Sequence, residues 1–452
     1  MLTLPLVLKS YTKNTNRFRW AACQIETLRK CRNRMTLRKA LTTLPQTLGE
    51  TYERILYAIN EDDSEYAIRI LRWLTFCCEP LRIEEIAEVV AIDVERNPAF
   101  NSDEVLEDPL EALSICSSLV TITATEGYSS TRRIVTLAHY SVKEYLTTEK
   151  ILQSRAARYG IERIACNEFI AMGCISYLLR FQGSGPFSEA MIQESKLALY
   201  AARFWITHTQ AAAQNAEDLN RLIMELFSTK NGAYLNWSRI YDLDHPSARP
   251  NFDKKLDEVP VVLYVASFSG LTEIVDLLLK AGADANARGG RHDNPLQAAS
   301  SGGHDRIVEL LLNKGANVNP QGEAYSTALH RASIQGHNRI VELLLNKGAN
   351  VNAQSKFLGT AIQAASAGGY DKTAELLLAR GANINAQGGY YGTALQAASG
   401  EGHDKTTELL LNKGANINAQ GGIHGTAIQA ALRGGHNKIV ELLLNRGANI
   451  NA

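Results

Sequence analysis

One 33-residue phrase, written six times without insertions from about residue 259 onward, constrains this chain more than any other feature. Its marker is His304, His337, Tyr370, His403 and His436, each 33 residues from the next. The third copy shows the internal grammar. Thr327 supplies a hydroxyl for a helix start, and Leu329 and Ala332 share one face of the turns that follow. Gly336 offers the left-handed backbone of a tight stop. A second helix then turns Ile340, Val341, Leu343, Leu344 and Leu345 toward its neighbours and leaves Asn338, Arg339 and Glu342 to water. Gly348 ends it, and Asn350 and Asn352 suit hydrogen bonds to the backbone of the next loop. Helices this short are marginal alone. Each copy must be covered by the next, so stability is a sum of repeat terms and neighbour interfaces.

A 33-residue period opening on Thr-Ala-Leu-His-x-Ala resembles the ankyrin repeat family. The resemblance covers residues 259–452. It implies an α-solenoid with short β-hairpin tips, and a protein partner met by those tips and by the exposed face of each first helix. The tips run over residues 288–293, 321–325, 354–358, 387–391 and 420–424, and aromatic side chains recur in them. Candidate partner-binding residues are Arg291, Tyr325, Phe357, Tyr390, Tyr391 and Ile423. Exposed aromatics beside one or two charges are hot-spot chemistry, while a tip tyrosine that packs on the neighbouring hairpin is an equally good reading. The sixth copy keeps the internal apolar pattern at Ile439, Val440, Leu442, Leu443 and Leu444. A terminal repeat normally carries a polar outer face. Further repeats, or self-association through this uncapped end, are therefore expected.

Charge gives no lead to a partner. Forty-seven basic residues balance forty-seven acidic ones, so no overall field recruits nucleic acid or anionic membrane. Seven cysteines (Cys23, Cys31, Cys77, Cys78, Cys116, Cys166 and Cys174) precede the repeats and form no C-x-x-C pair. That usage fits free thiols in a reducing, cytoplasmic setting better than a disulfide framework or a zinc site. The apolar run at residues 2–8 is too short for a membrane span and lacks the basic flank of a signal peptide.

The amino-terminal half reads as helices with one β-hairpin. Trp20, Cys23, Leu28 and Cys31 form a loose apolar stripe beside basic residues from Arg29 to Lys39. Thr47, with Glu50 three residues on, marks a helix start that carries Leu48, Tyr52, Ile55 and Ile59 on one face. Ser64 is read as opening the next helix, with Ala67, Ile70, Leu71 and Leu74 inward. Pro80 breaks it, and Ile86, Val89 and Val90 line another. Residues 120–123 and 134–137 are β-rich and separated by a polar turn. Residues 161–179, 196–208 and 216–227 carry further helical patterns.

The phrases RFRWAACQIETLRKCRN, ALTTLPQTLGETYERIL, LRWLTFCCEPLRIEEIAEVVAI and LAHYSVKEYL resemble the region after the NACHT domain in fungal STAND-class signalling ATPases. The last two resemble the winged-helix domain named after GPI inositol-deacylase. The resulting expectation is a mainly α chain: a helical remnant at 1–60, a winged helix at 61–150, a helical linker at 151–258 and the repeats at 259–452. It implies a non-enzymatic sensor module of a NACHT–ankyrin protein, in fungal self/non-self recognition or innate-immunity-like signalling.

The resemblance implies an ATP-binding motor, yet no G-x-x-x-x-G-K-[ST] occurs. The nearest string, from Gly400 to Thr406, falls at the joint between the two helices of a repeat and recurs one period earlier. In the STAND class a histidine in a phrase like that around His139 meets the nucleotide phosphate. With no P-loop in this chain, a partly buried histidine bonded to a carbonyl is the preferred reading. A metal shared by repeat histidines is disfavoured, because packed helices stand about 8–10 Å apart and zinc bonds are about 2 Å. No cofactor and no metal are expected. Two alternatives stay open: NTP hydrolysis by a domain supplied upstream, and duplex binding by the winged helix with the basic run at 29–39. Calorimetry of the purified chain with MgATP and MgADP is expected to give no heat of binding; micromolar affinity would refute that expectation.

Overall fold

The computed structural model describes residues 20–21, 24, 33–126, 131–183, 187–213, 216–320 and 327–450. Contacts divide the chain into two units, residues 1–242 with 246–254, and residues 243–245 with 255–452.

In the first unit, helix Leu48–Tyr57 starts as its sequence requires: Thr47 Oγ1 accepts the Glu50 amide at 3.2 Å, and Glu50 Oε2 reaches back to the Gln46 amide at 2.9 Å. The next helix runs from Glu61 to Phe76 behind Asn60, not from Ser64, which is buried three residues inside it. Glu61, Asp62 and Asp63 fill the first turn, where negative charge favours the unpaired amides. Apolar periodicity begins only after that acidic turn, so the pattern alone places the start too late.

Helices Ile83–Val89 and Glu111–Cys116 follow, and a three-stranded antiparallel sheet orders Leu81–Arg82, Thr131–Leu137 and Val120–Glu126 with Thr131–Leu137 in the centre. Val120 pairs with Leu137 and Ile122 with Val135, which makes the hairpin wing of a winged helix. The turn residues between the strands lie outside the described residues, as do Cys23, Leu28, Cys31 and the basic run up to Arg32. What is described of that run, Arg34, Arg38 and Lys39, sits on a helix that buries only Ala40.

Helices Arg163–Leu179, Ala198–Ala211 and Glu217–Leu226 match the helical patterns, and Glu189–Glu194 and Ala233–Ile240 join them. Trp73 meets Tyr200 at 5.6 Å, and Trp205 meets Trp237 at 5.6 Å, in two buried aromatic clusters. Glu88 is the polar fastening. Its buried carboxylate accepts Tyr177 O–H at 2.7 Å and the amides of Lys196 and Leu197 at 3.1 and 2.8 Å. Burial and that neighbouring carboxylate hold the Tyr177 phenol far above its ordinary range.

In the second unit six helix pairs recur in register. The first helices start at Val262, Pro295, Ala328, Ala361, Ala394 and Ala427, and the second at Thr272, Asp305, Asn338, Asp371, Asp404 and Asn437. Ile340, Val341 and Leu344 are buried, Leu343 and Leu345 are half-buried, and Asn338, Arg339 and Glu342 face water. Gly336 closes the first helix at φ +71°, and a side chain there would strike the Tyr370 ring of the next repeat.

Three polar ladders run between repeats, and the asparagine one crosses every junction. Asn319 Oδ1 accepts the Asn350 amide at 2.9 Å while its Nδ2 donates to Gly348 O at 2.8 Å, and Asn352 does the same toward Asn383 and Gly381. His304, His337, His403 and His436 each place Nε2 3.0–3.3 Å from a carbonyl of the preceding repeat. They stand at the helix starts, yet their side chains do not cap them; they reach back across the interface.

The third ladder runs forward from His330, Gln363 and Gln396 to the following tip. His330 Nδ1 accepts the Thr327 amide at 3.0 Å, so Nε2 carries the proton and donates to Gly359 O at 2.9 Å. Gln363 reproduces this with Nε2 donating to Gly392 O at 2.6 Å. A neutral imidazole and a primary amide offer the same acceptor and donor, which is why the two alternate at one position.

Leu344 is fully buried, so Leu344→Ala is expected to cost about 2–5 kcal/mol. Glu342→Ala, losing one exposed contact to Arg380 at 3.5 Å, should stay within about 0.5 kcal/mol. Equal losses in urea unfolding would mean that the helix phase is wrong.

Burial lowers the pKa of His330, His208 and His292 to about 4 each. Below the unfolded value of about 6.5 the unfolded chain takes up protons that the folded chain refuses. Stability should therefore be lost as pH falls from 6.5 toward 4. His330→Gln keeps both hydrogen bonds and should reduce that loss without abolishing it; an unchanged pH profile would count against the ladder assignment.

Candidate interaction surface

Each described hairpin tip offers two adjacent residues to its surroundings, and the backbone sends them opposite ways. Ser355 bridges Gly359, Gly388 bridges Gly392 and Gly421 bridges Gly425, which closes these three tips. The Tyr390 amide then donates to Phe357 O at 2.8 Å and the Ile423 amide to Tyr390 O at 3.1 Å. These bonds hold three consecutive tips in one strand-like row.

Phe357, Tyr390 and Ile423 occupy the same register position and stay 67%, 49% and 48% exposed. The next residue of each tip, Leu358, Tyr391 and His424, is half-buried. Tyr391 donates to Glu401 Oε1 at 2.6 Å and meets Tyr390 edge-on at 5.1 Å; burial and that carboxylate push its phenol well up. Tyr391 is thus an inward prop, and Phe357, Tyr390 and Ile423 are the outward stripe.

Arg291 stands in the outward row two periods before Phe357 and is exposed, while its neighbour His292 is buried between Tyr264 and Phe268 at 6.5 and 5.2 Å. The tip itself is anchored by Asp244, which accepts Tyr264 O–H at 2.6 Å and the Arg291 amide at 2.9 Å. Tyr325 lies outside the described residues. Composition flagged the stripe through its aromatics, but no sequence signal separated the outward residue of a tip from the inward one.

His139 caps the helix Tyr140–Leu146. Its Nδ1 accepts the Ser141 amide at 3.2 Å and sits 2.6 Å from Ser141 Oγ, which is 2.8 Å from Tyr52 Oη. A histidine in extended backbone at a helix start can thus act as the acceptor that serine or aspartate usually supplies.

One constellation had no sequence signal, its members being up to 130 residues apart. Cys78 Sγ lies 3.5 Å from His208 Nε2, and His208 Nδ1 lies 2.9 Å from Asn167 Oδ1. The order matches a nucleophile, a base and an orienting amide. Tyr200 Oη, however, sits 2.8 Å from the same Nε2 and accepts the Cys78 amide at 3.0 Å. Burial lowers the His208 pKa to about 4 and raises that of the Cys78 thiol. The pair rests as neutral imidazole and protonated thiol, and the cluster ties two helices to the turn after Phe76. Among the described residues no group of three His, Cys, Asp or Glu side chains is placed to hold a metal, and no helix is long and apolar enough to cross a membrane.

Comparison with known proteins agrees with this architecture. Residues 263–355 and 360–452 match the family model of ankyrin repeats, and residues 52–162 match that of the GPI inositol-deacylase winged helix domain. The azaphilone pigments biosynthesis cluster protein L of the fungus Monascus ruber is 36% identical over 279 residues, covering 59% of each chain. The chain thus spans about three fifths of the length of the curated relative it matches.

Proposed function

We propose that the chain is a non-enzymatic interaction module whose ankyrin array captures a protein partner along the hairpin tips, with Phe357, Tyr390 and Ile423 as its contact stripe. The observation that carries this is the stripe itself: three large apolar side chains held outward at one register position by a backbone the fold has already satisfied. Exposed apolar patches on a rigid frame mark binding surfaces.

The finer reading is that the module belongs to a NACHT/STAND-type signalling protein acting in the cytoplasm. The order of the winged-helix phrases and the repeat array behind them support it. In that setting His139 is the residue proposed to meet a nucleotide phosphate brought by a separate domain, and the sixth repeat, with Leu432 and Leu444 exposed, is a proposed second surface for another copy.

Replacing Phe357, Tyr390 and Ile423 together by serine should leave the helical circular dichroism unchanged. In affinity capture compared by mass spectrometry, the proteins retained by the unaltered chain should be lost from this variant. Undiminished capture would move recognition away from the tips.

A further inference from the structure

The repeat grammar is broken once, at a position where every other copy buries a small apolar side chain. Val265, Ala298, Ala364, Ala397 and Ala430 stand one period apart and are at most 1% exposed. The third copy has Arg331 there, half-buried. Its Nε is buried without a hydrogen-bond partner, and no carboxylate among the described residues lies within ion-pair reach of its guanidinium. Arg291, the first residue of the outward tip row, has no ion pair among the described residues either.

The two cations are near enough for the Arg291 charge, together with burial, to lower the Arg331 pKa. Burial holds His292 neutral, and Asp244, an acid whose charge acts on it, accepts Tyr264 O–H and the Arg291 amide. Half-burying a guanidinium beside a like charge is unfavourable unless something answers it. An alanine at position 331 would remove that cost, as five of the six copies do with small side chains.

We propose that Arg291 and Arg331 form an oxyanion-recognition corner at the amino-terminal end of the tip surface, taking a carboxylate or phosphate carried by a side chain of the partner protein. This rests on the reading of the tips as a protein-binding surface and gives that surface a polarity. The oxyanion docks at Arg291 and Arg331, and apolar side chains of the same segment run toward Phe357, Tyr390 and Ile423. Arginine is suited to the task because its planar fork donates two parallel bonds to either oxyanion.

The test is fluorescence anisotropy of the full chain with three labelled peptides: six glutamates, a glutamine peptide bearing one phosphoserine, and six glutamines. The glutamate or the phosphoserine peptide should bind and the glutamine peptide should not; whichever of the two binds identifies the source of the oxyanion. Arg331→Ala and Arg291→Ala should each weaken that binding about tenfold, a loss of one bidentate contact, and Arg331→Lys should not restore it. Arg331→Ala should also unfold at a temperature no lower than the parent chain, because it removes a charge without an ion pair among the described residues and gives the alanine that four other repeats carry.

The idea is overturned if neither oxyanion peptide binds more tightly than the glutamine peptide, or if Arg331→Ala binds as the parent does. It is equally overturned if Arg331→Ala is destabilised, since the arginine would then be a packing residue. The triple tip variant keeps the corner intact. Loss of captured proteins from that variant, with no peptide discrimination by the parent chain, would leave the tip reading standing and remove this one.

Discussion

Everything in the array depends on the side-chain amide that crosses from one repeat to the next. Asn286, Asn319, Asn352, Asn385 and Asn418 each accept a backbone amide from the following copy, at 2.7–2.9 Å. The loops would otherwise leave these amides unpaired at a junction between helices. Apolar packing alone is non-directional and would let one helix pair slide on its neighbour. The asparagine rungs, with the histidine bonds reaching back and the glutamine or His330 bonds reaching forward, fix the register of each interface. Once register is fixed the tips line up, and an interaction surface becomes geometrically possible.

The period made most of this legible, and each thing that stayed hidden has a physical reason. A repeat of 33 residues with glycines at Gly336 and Gly348 fixes both helix ends, because only one backbone conformation closes each turn. The Thr47 cap and the hairpin at 120–137 were local and therefore readable. The tie of His337 to Ser301, 36 residues back, was not, nor was the clasp of Glu88 on Lys196 and Leu197 more than a hundred residues on. Such bonds depend on which helices pack, and spacing carries no record of that. The meeting of Cys78, Asn167 and His208 was hidden for the same reason.

Within the candidate surface the division is finer. Composition located the tips and picked out their aromatics, yet Tyr390 and Tyr391 are adjacent and chemically identical. One faces outward and the other is an inward prop hydrogen-bonded to Glu401. The difference arises from the bond between the Tyr390 amide and Phe357 O, which sets which face of the hairpin each residue takes. Arg331 is the converse case. It was visible in the sequence as a departure from alanine, but its meaning needed the knowledge that this column is otherwise sealed.

An array of near-independent interfaces is also what allows such a departure. In a single cooperative core an unanswered, half-buried guanidinium would weaken the whole domain. In a solenoid the cost is confined to one repeat and its two neighbours, because stability is a sum of local terms. The third repeat is internal and supported on both sides: Ile340, Val341 and Leu344 are sealed, and Asn319 and Asn352 bond across both of its junctions. A strained group is held best where the surrounding interfaces are complete. The cation sits beside Arg291 at one end of the tip row, while the apolar stripe occupies the other end. The two arginines and the apolar stripe thus stand in different repeats, and each can vary without disturbing the rungs that hold the repeats in register.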